Sequence, residues 1–215
     1  MEYLEPSQLG LAACILAAGY GSRMGHVPKA AIRIRERSVL EWQVLALRGA
    51  GVQDISVVVG PYQEQLCPLV SLCEAELVLN ESKSAEILHS QIAAVKSHYR
   101  DRHGCDMMVL LGDLPFLQTH HFLRLRKLWE MRNGDIHGLV PMADGVRGHP
   151  LVLSWSAVQT IAESGQTDKG IRSWLSRSKQ SVQFVEMNDP AYVRDVDIPQ
   201  DLAQIEGPAE LPLVS

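Results

Sequence analysis

Leu11-Ala12-Ala13-Cys14-Ile15-Leu16-Ala17-Ala18-Gly19-Tyr20-Gly21-Ser22-Arg23-Met24-Gly25-His26-Val27-Pro28-Lys29 is the stretch that decides the fold. Leu11 to Ala18 is an unbroken apolar run that stops at Gly19. A strand wet on one face alternates apolar and polar residues. A strand with no polar position is covered on both faces, as in parallel sheets. Residues 19–29 are rich in glycine and polar side chains and contain Pro28, so they form a loop.

The same pattern recurs along the chain. Ile55–Val59, Ala75–Leu79, Met107–Leu111, Ile136–Pro141, Leu151–Ser154 and Val182–Glu186 read as further strands. Helices are expected over Val39–Ala50, closed by Gly51, and over Ala85–Tyr99. Others follow over Thr119–Arg132 with Thr119 as its cap, Ala157–Glu163, Lys169–Ser176 and Pro199–Ile205. Strand and helix in alternation predict an α/β chain: a three-layer Rossmann-like fold, with a mostly parallel sheet and helices on both faces. Residues 1–206 are expected to form one domain and 207–215, with Pro208 and Pro212, a loose tail.

Composition narrows the function. The chain has 215 residues, 46% hydrophobic and 21% charged, as in an ordinary globular protein. A formal charge of -5 argues against a nucleic-acid binder, which needs a basic face. No apolar run is long enough for a membrane span. The first ten residues carry Glu2 and Glu5 and no basic leader, so a cytoplasmic location is expected. Cys14, Cys67, Cys73 and Cys105 form no C-x-x-C pair, and Cys14 reads as a core residue.

Parallel sheets bind ligands at the carboxyl ends of their strands, so the loops after the strands matter most. After the first strand, Gly19, Gly21 and Gly25 let the backbone turn N–H groups toward an anion. Arg23 adds a planar cationic fork and Lys29 a compact charge. The loop is not a P-loop, and Met24 stands where a dinucleotide fingerprint needs its third glycine. Taken alone it also fits a glycine turn with an exposed Arg.

After the fourth strand, Gly112-Asp113-Leu114-Pro115 puts a hard oxygen ligand where Mg²⁺ and phosphates could meet, or simply a turn-forming Asp before a Pro loop. Asp195-Val196-Asp197 would place two carboxylates on one face of a strand, a pairing that a cation relieves. Asp197 fits a helix cap equally well. Arg147 and His149 in Arg147-Gly148-His149-Pro150, with Lys169 and Arg172 of the segment 168–172, are candidates to hold an anionic acceptor. His26 is placed to touch a nucleotide, whereas the neighbours His120 and His121 are expected to face apart and make no metal pair. No Ser/His/Asp or Cys/His order supports covalent catalysis.

In combination these segments resemble the molybdenum-cofactor nucleotidyltransferases, part of the wider superfamily of sugar-phosphate nucleotidylyltransferases. Leu16-Ala17-Ala18-Gly19, Arg23-Met24-Gly25 and Lys29 look like the family's opening motif, Gly112-Asp113-Leu114-Pro115 like its metal motif, and Asp195 to Leu202 like its closing one. Ala18, Arg147 to Pro150 and Asp168 to Arg172 lean toward the cytidylyltransferase branch. Tyr20-Gly21, Leu114 and Glu86-Ile87-Leu88 depart from it and bear on the acceptor pocket.

The resemblance implies transfer of CMP from CTP to the phosphate of molybdopterin. It implies nucleotide contacts from Leu16, Ala17, Ala18, Gly19, Gly21, Ser22, Arg23, Gly25, Lys29 and Gly112. Catalysis would fall to Arg23, Lys29 and Asp113, with Mg²⁺ held by Asp113 and Asp197 or Asp195. A molybdoenzyme or its maturation factor is the protein partner to expect. Guanylyl transfer, or transfer to a sugar or polyol phosphate, would keep the fold and change the substrates. A nucleotide-binding accessory protein for cofactor maturation would keep the loop and lose the chemistry.

Overall fold

The computed structural model describes residues 10–21, 25–82, 86–164 and 170–196. The apolar run forms β1 (Leu11–Ala17), buried along nearly its whole length. A short hairpin, β2 (Arg33–Ile34) and β3 (Arg37–Ser38), leads into α1 (Val39–Gly49). Ser38 caps α1 by accepting from the Glu41 backbone N–H at 3.2 Å, and Glu41 accepts from the Ser38 N–H at 2.7 Å. Then come β4 (Ile55–Val59), α2 (Gln63–Leu72), β5 (Glu76–Leu79), α3 (Ile87–Asp101) and β6 (Asp106–Leu111). The second half runs α4 (Thr119–Glu130), β7 (Gly138–Ala143), β8 (Val146–Arg147), β9 (Leu151–Leu153), α5 (Trp155–Glu163), α6 (Ile171–Arg177) and β10 (Val182–Glu186).

The main sheet has the order β10-β7-β9-β6-β1-β4-β5, with β8 paired to β7. β1 runs parallel to β4 and β6, β4 to β5, and β10 to β7. β9 is antiparallel to both neighbours, β6 and β7. The α/β reading with a mostly parallel sheet therefore holds. Alternate residues of β1 feed two cores. Ala13, Ile15 and Ala17 pack with α1, α2 and α4; Cys14, Leu16 and Ala18 pack with α3, α5 and α6.

Two details differ from expectation. α2 has no counterpart in the sequence reading, because Pro68 sits inside it and only Leu66 and Val70 are buried. Thr119 does not cap α4. Gln118, with extended backbone, is the cap, and Thr119 opens the helix where it packs against Gly49 of α1. The expected helix 199–205 and the tail 207–215 lie outside the described residues. Among the described residues no helix is long and apolar enough to cross a membrane.

The order β4-β1-β6 is a topological switch. The chain moves outward from β1 through β4 to β5, then returns to place β6 on the other side of β1. In open α/β sheets the ligand crevice lies beyond the carboxyl ends of the strands at such a switch, which here are the ends of β1 and β6.

Candidate functional site

Gly112 closes the floor of that crevice. Its N–H donates to the Leu16 carbonyl at 2.9 Å. A Cβ on Gly112 would meet Leu16 O at 3.1 Å and Ala17 and Ala30 Cβ atoms at 3.3 Å, so only glycine lets the two strand ends approach this closely. Gln43 of α1, fully buried, donates to the carbonyls of Leu111 at 2.8 Å and Leu114 at 3.2 Å and fixes the turn between them.

That turn carries Asp113. Its Oδ2 accepts from Lys29 Nζ at 3.0 Å, across 84 residues of sequence. Both side chains are mostly buried, at 17% and 20% exposure. The second oxygen, Oδ1, is buried and has no hydrogen-bond partner among the described residues. A carboxylate oxygen stripped of water and left unmatched costs stability unless a ligand completes it. A hard divalent cation fits this donor, since it takes one or two carboxylates and fills its remaining positions with water or phosphate oxygen.

The glycine loop is shaped by its backbone. Gly21 has φ +53°, and a Cβ there would lie 2.1 Å from Val27 O. His26 N–H donates to Gly21 O at 3.0 Å, and Tyr62 Oη donates to Tyr20 O at 2.8 Å. Gly25 and His26 both have positive φ. Leu16, Ala17 and Ala18 are buried at the end of β1, and Gly19 is exposed just beyond. Ser22 and Arg23 lie outside the described residues.

The closing segment also reaches Asp113, since the Val196 N–H donates to the Asp113 carbonyl at 3.0 Å. This sets Asp195 beside the metal candidate. Residues 193–196 form no strand, and the expected pairing of Asp195 with Asp197 on one face reaches outside the described residues. Val196 is buried, Asp195 is half-buried and Asp197 lies outside the described residues.

The acceptor candidates separate. His149 is tied to the crevice wall: its backbone N–H donates to Tyr192 O at 2.8 Å, and its Nδ1 lies 3.3 Å from Val109 O. Burial pushes its imidazole below the usual pKa, against the Val109 carbonyl and the nearby Asp113 charge. Arg147 is exposed on β8, its guanidinium 5.2 Å from the ring centroid of Phe184 on the edge strand β10. Arg172 is exposed in the first turn of α6, on the face opposite α1 and α2. Lys169 lies outside the described residues.

His120 and His121 do not face apart. Their ring centroids are 3.8 Å apart, and with Asp189 they offer three possible ligand atoms within 4.8 Å. The cause is the helix start. His121 Nδ1 accepts from the Gln118 N–H at 2.8 Å, and this turns the ring back over the first turn. With its Nδ1 lone pair used, the neutral ring carries its proton on Nε2, which donates to Asp189 Oδ2 at 3.0 Å. In that state His121 has no lone pair left for a metal.

A family model described as the MobA-like NTP transferase domain matches residues 13–182. The nicotine blue oxidoreductase of Paenarthrobacter nicotinovorans is 26% identical over 196 residues, which span 89% of this chain and 94% of the relative. The crystal structure of Rv0371c from Mycobacterium tuberculosis H37Rv, in complex with manganese, superposes with a TM-score of 0.69 at 19% identity, covering 93% of this chain and 100% of that one. Mth528, a nucleotidyl transferase from Methanothermobacter, gives a TM-score of 0.71 at 21% identity, covering 92% and 96% of the two chains.

Proposed function

Because the chain belongs to the MobA-like NTP transferase domain family, we propose that it transfers CMP from CTP to the phosphate of molybdopterin and releases pyrophosphate. The observation that carries the reading is the Lys29–Asp113 pair at the switch between β1 and β6, with one Asp113 oxygen left open. A terminal phosphate oxygen of the acceptor attacks the α-phosphorus of the nucleotide in line. The bond to the β-phosphate oxygen breaks, and its electron pair leaves with pyrophosphate. Such reactions need positioning and charge neutralisation and no protein nucleophile.

The chain's residues divide that work. Backbone N–H groups from Gly19 to Gly25 cradle the triphosphate, and Lys29 with Arg23 offsets charge on the reacting and leaving phosphates. Leu16, Ala17 and Ala18 present main-chain groups toward the base, and His149, near Asp113, lines the acceptor side. Asp113, with Asp195 or Asp197, would hold Mg²⁺. A bound divalent ion supplies neutralisation of phosphate charge. Specificity for CTP and for molybdopterin rests on the cytidylyltransferase-like segments at Ala18, 147–150 and 168–172.

The test is pyrophosphate release with CTP, GTP, UTP and ATP, Mg²⁺, and molybdopterin bearing molybdenum. CTP should give the fastest release. A GTP preference would move the chain to guanylyl transfer. Nucleotide binding without pyrophosphate from any pair would favour an accessory protein. A second reading follows from the full-length relative named as an oxidoreductase. It predicts oxidation or reduction of nicotine blue with no release of pyrophosphate.

A further inference from the structure

After β10 the chain does not leave the molecule. It crosses back as a strap, residues 187–196, and is pinned at short intervals. The Met187 N–H donates to Met142 O at 2.8 Å, and its carbonyl accepts from Arg124 at 3.0 Å. Asp189 Oδ2 meets His121 Nε2 at 3.0 Å, while Asp189 Oδ1 accepts from the Ala191 N–H at 2.9 Å and starts the 3-10 turn Pro190–Tyr192. Tyr192 is buried and donates its hydroxyl to the His121 carbonyl at 3.1 Å. The Arg194 guanidinium lies 4.4 Å from the Phe116 ring centroid, and the Val196 N–H reaches the Asp113 carbonyl.

These anchors tie the strap to α4 and the loops around Asp113. We propose that His121 is a positioning residue: by holding Asp189 it sets the strap so that Asp195 and Val196 arrive at Asp113. This rests on the functional reading above, in which Asp113 and a strap carboxylate form the divalent-ion site.

Several observations carry it. His121 is buried in the first turn of α4, and the Gln118 N–H fixes its tautomer as an Nε2 donor. Asp189 accepts from this side chain and also organises the turn leading to Tyr192, whose ring meets the His121 imidazole edge-on with centroids 5.2 Å apart. The Tyr192 carbonyl in turn accepts from the His149 N–H at 2.8 Å. Residues that orient a metal ligand from behind typically change metal affinity by about 10–100-fold when lost. The side chain does two separable jobs, helix cap and strap tether, and substitutions can divide them. Asn at this position keeps an oxygen near Nδ1 for the Gln118 N–H and loses the reach to Asp189. Gln places an amide nitrogen near Nε2 and recovers that reach.

The experiment measures Mn²⁺ affinity by electron paramagnetic resonance, together with amide hydrogen exchange over residues 187–196. His121→Asn should weaken Mn²⁺ binding about 10-fold or more. It should speed exchange at Tyr192 to Val196 selectively and leave metal-free CTP affinity unchanged. His121→Gln should restore most of the Mn²⁺ affinity. Loss of affinity that tracks a fall in global stability equally in both variants would mean a structural role only and would overturn the inference. So would a Mn²⁺ affinity unmoved by His121→Asn. Asp113→Asn in the otherwise native chain is the control: if it leaves Mn²⁺ binding intact, the functional reading itself falls and takes this inference with it.

Discussion

Asp106 and Asp113 flank one strand, and their surroundings differ at each oxygen. Asp106, at the start of β6, is matched throughout. Its Oδ1 accepts from the Trp155 N–H at 2.8 Å, and its Oδ2 accepts from Trp129 Nε1 at 2.8 Å and Arg132 at 3.1 Å. Asp113, just beyond the other end, has Lys29 on Oδ2 and an unmatched Oδ1. At the amino end of the strand the carboxylate closes a network that includes an Arg132 guanidinium stacked 3.6 Å from the Trp129 ring centroid. At the carboxyl end the structure stops one bond short. Asp106 is satisfied within the fold, whereas the unmatched oxygen of Asp113 belongs to a carboxylate paired with Lys29 at the strand's carboxyl end, where a ligand can complete it.

Exchanging the two outcomes would break this contrast, and the largest effects lie there. Asp113→Ala should lower pyrophosphate release by at least ~10²-fold, about 2.7 kcal/mol of transition-state stabilisation, with little change in melting temperature. Near-normal turnover would contradict its assignment. Asp106→Ala should do the reverse. It strands a buried guanidinium and two buried N–H donors, at a cost of roughly 3–5 kcal/mol. For a chain of this size that is a fall of roughly 6–20 °C in melting temperature, read by calorimetry. A fall in melting temperature larger for Asp113→Ala than for Asp106→Ala would remove the distinction.

How much of this was legible in the sequence follows from the kind of information each feature needs. β1 and its loop could be read because an eight-residue apolar run ending in glycine has few other meanings. Lys29 and Asp113 could be singled out because each follows a strand. Their meeting at 3.0 Å depends on β6 lying beside β1, which no local pattern encodes. Helix α2 was hidden by Pro68, and the antiparallel direction of β9 by its length of three residues. The His121–Asp189 contact spans 68 residues and joins a helix start to an irregular segment, so neither partner stands out alone. Helical spacing alone also does not give the orientation of His120 and His121, because it ignores the backward turn that Gln118 imposes.

A smaller effect sharpens the carboxyl-end half of the contrast. Lys29→Ala should reduce turnover by at least ~10-fold, as expected for loss of a charge-assisted contact of roughly 1.5–3 kcal/mol. The same variant strips Asp113 Oδ2 of a partner, so stability should fall slightly in the metal-free protein and recover on adding Mn²⁺. A Lys29→Ala protein with full turnover would leave the ion pair a structural feature, and the two ends of β6 would then differ only in degree.

The smallest effect concerns histidines at the same two ends. His98 Nε2 lies 2.8 Å from the carbonyl of Cys105, next to Asp106, and His149 Nδ1 lies near the carbonyl of Val109 on the way to Asp113. Burial pushes the pKa of each imidazole down, as it does for His121. A ring neutral in the folded chain but free to titrate near 6.5 when unfolded makes the unfolded state bind more protons. Stability from these groups is therefore complete above that value and is lost as pH falls through their folded values. Asp106 acts with the opposite sign, since burial raises its pKa and its ionisation opposes folding as pH rises, but it does so in the lower, carboxylate range. The melting temperature should accordingly drop between pH 7 and pH 5, and His98→Gln should flatten that drop while leaving pyrophosphate release at pH 7 unchanged. A curve that is level, or equally steep in His98→Gln, would show that this buried imidazole contributes nothing to acid lability. The amino end of β6 would then be held by Asp106 alone.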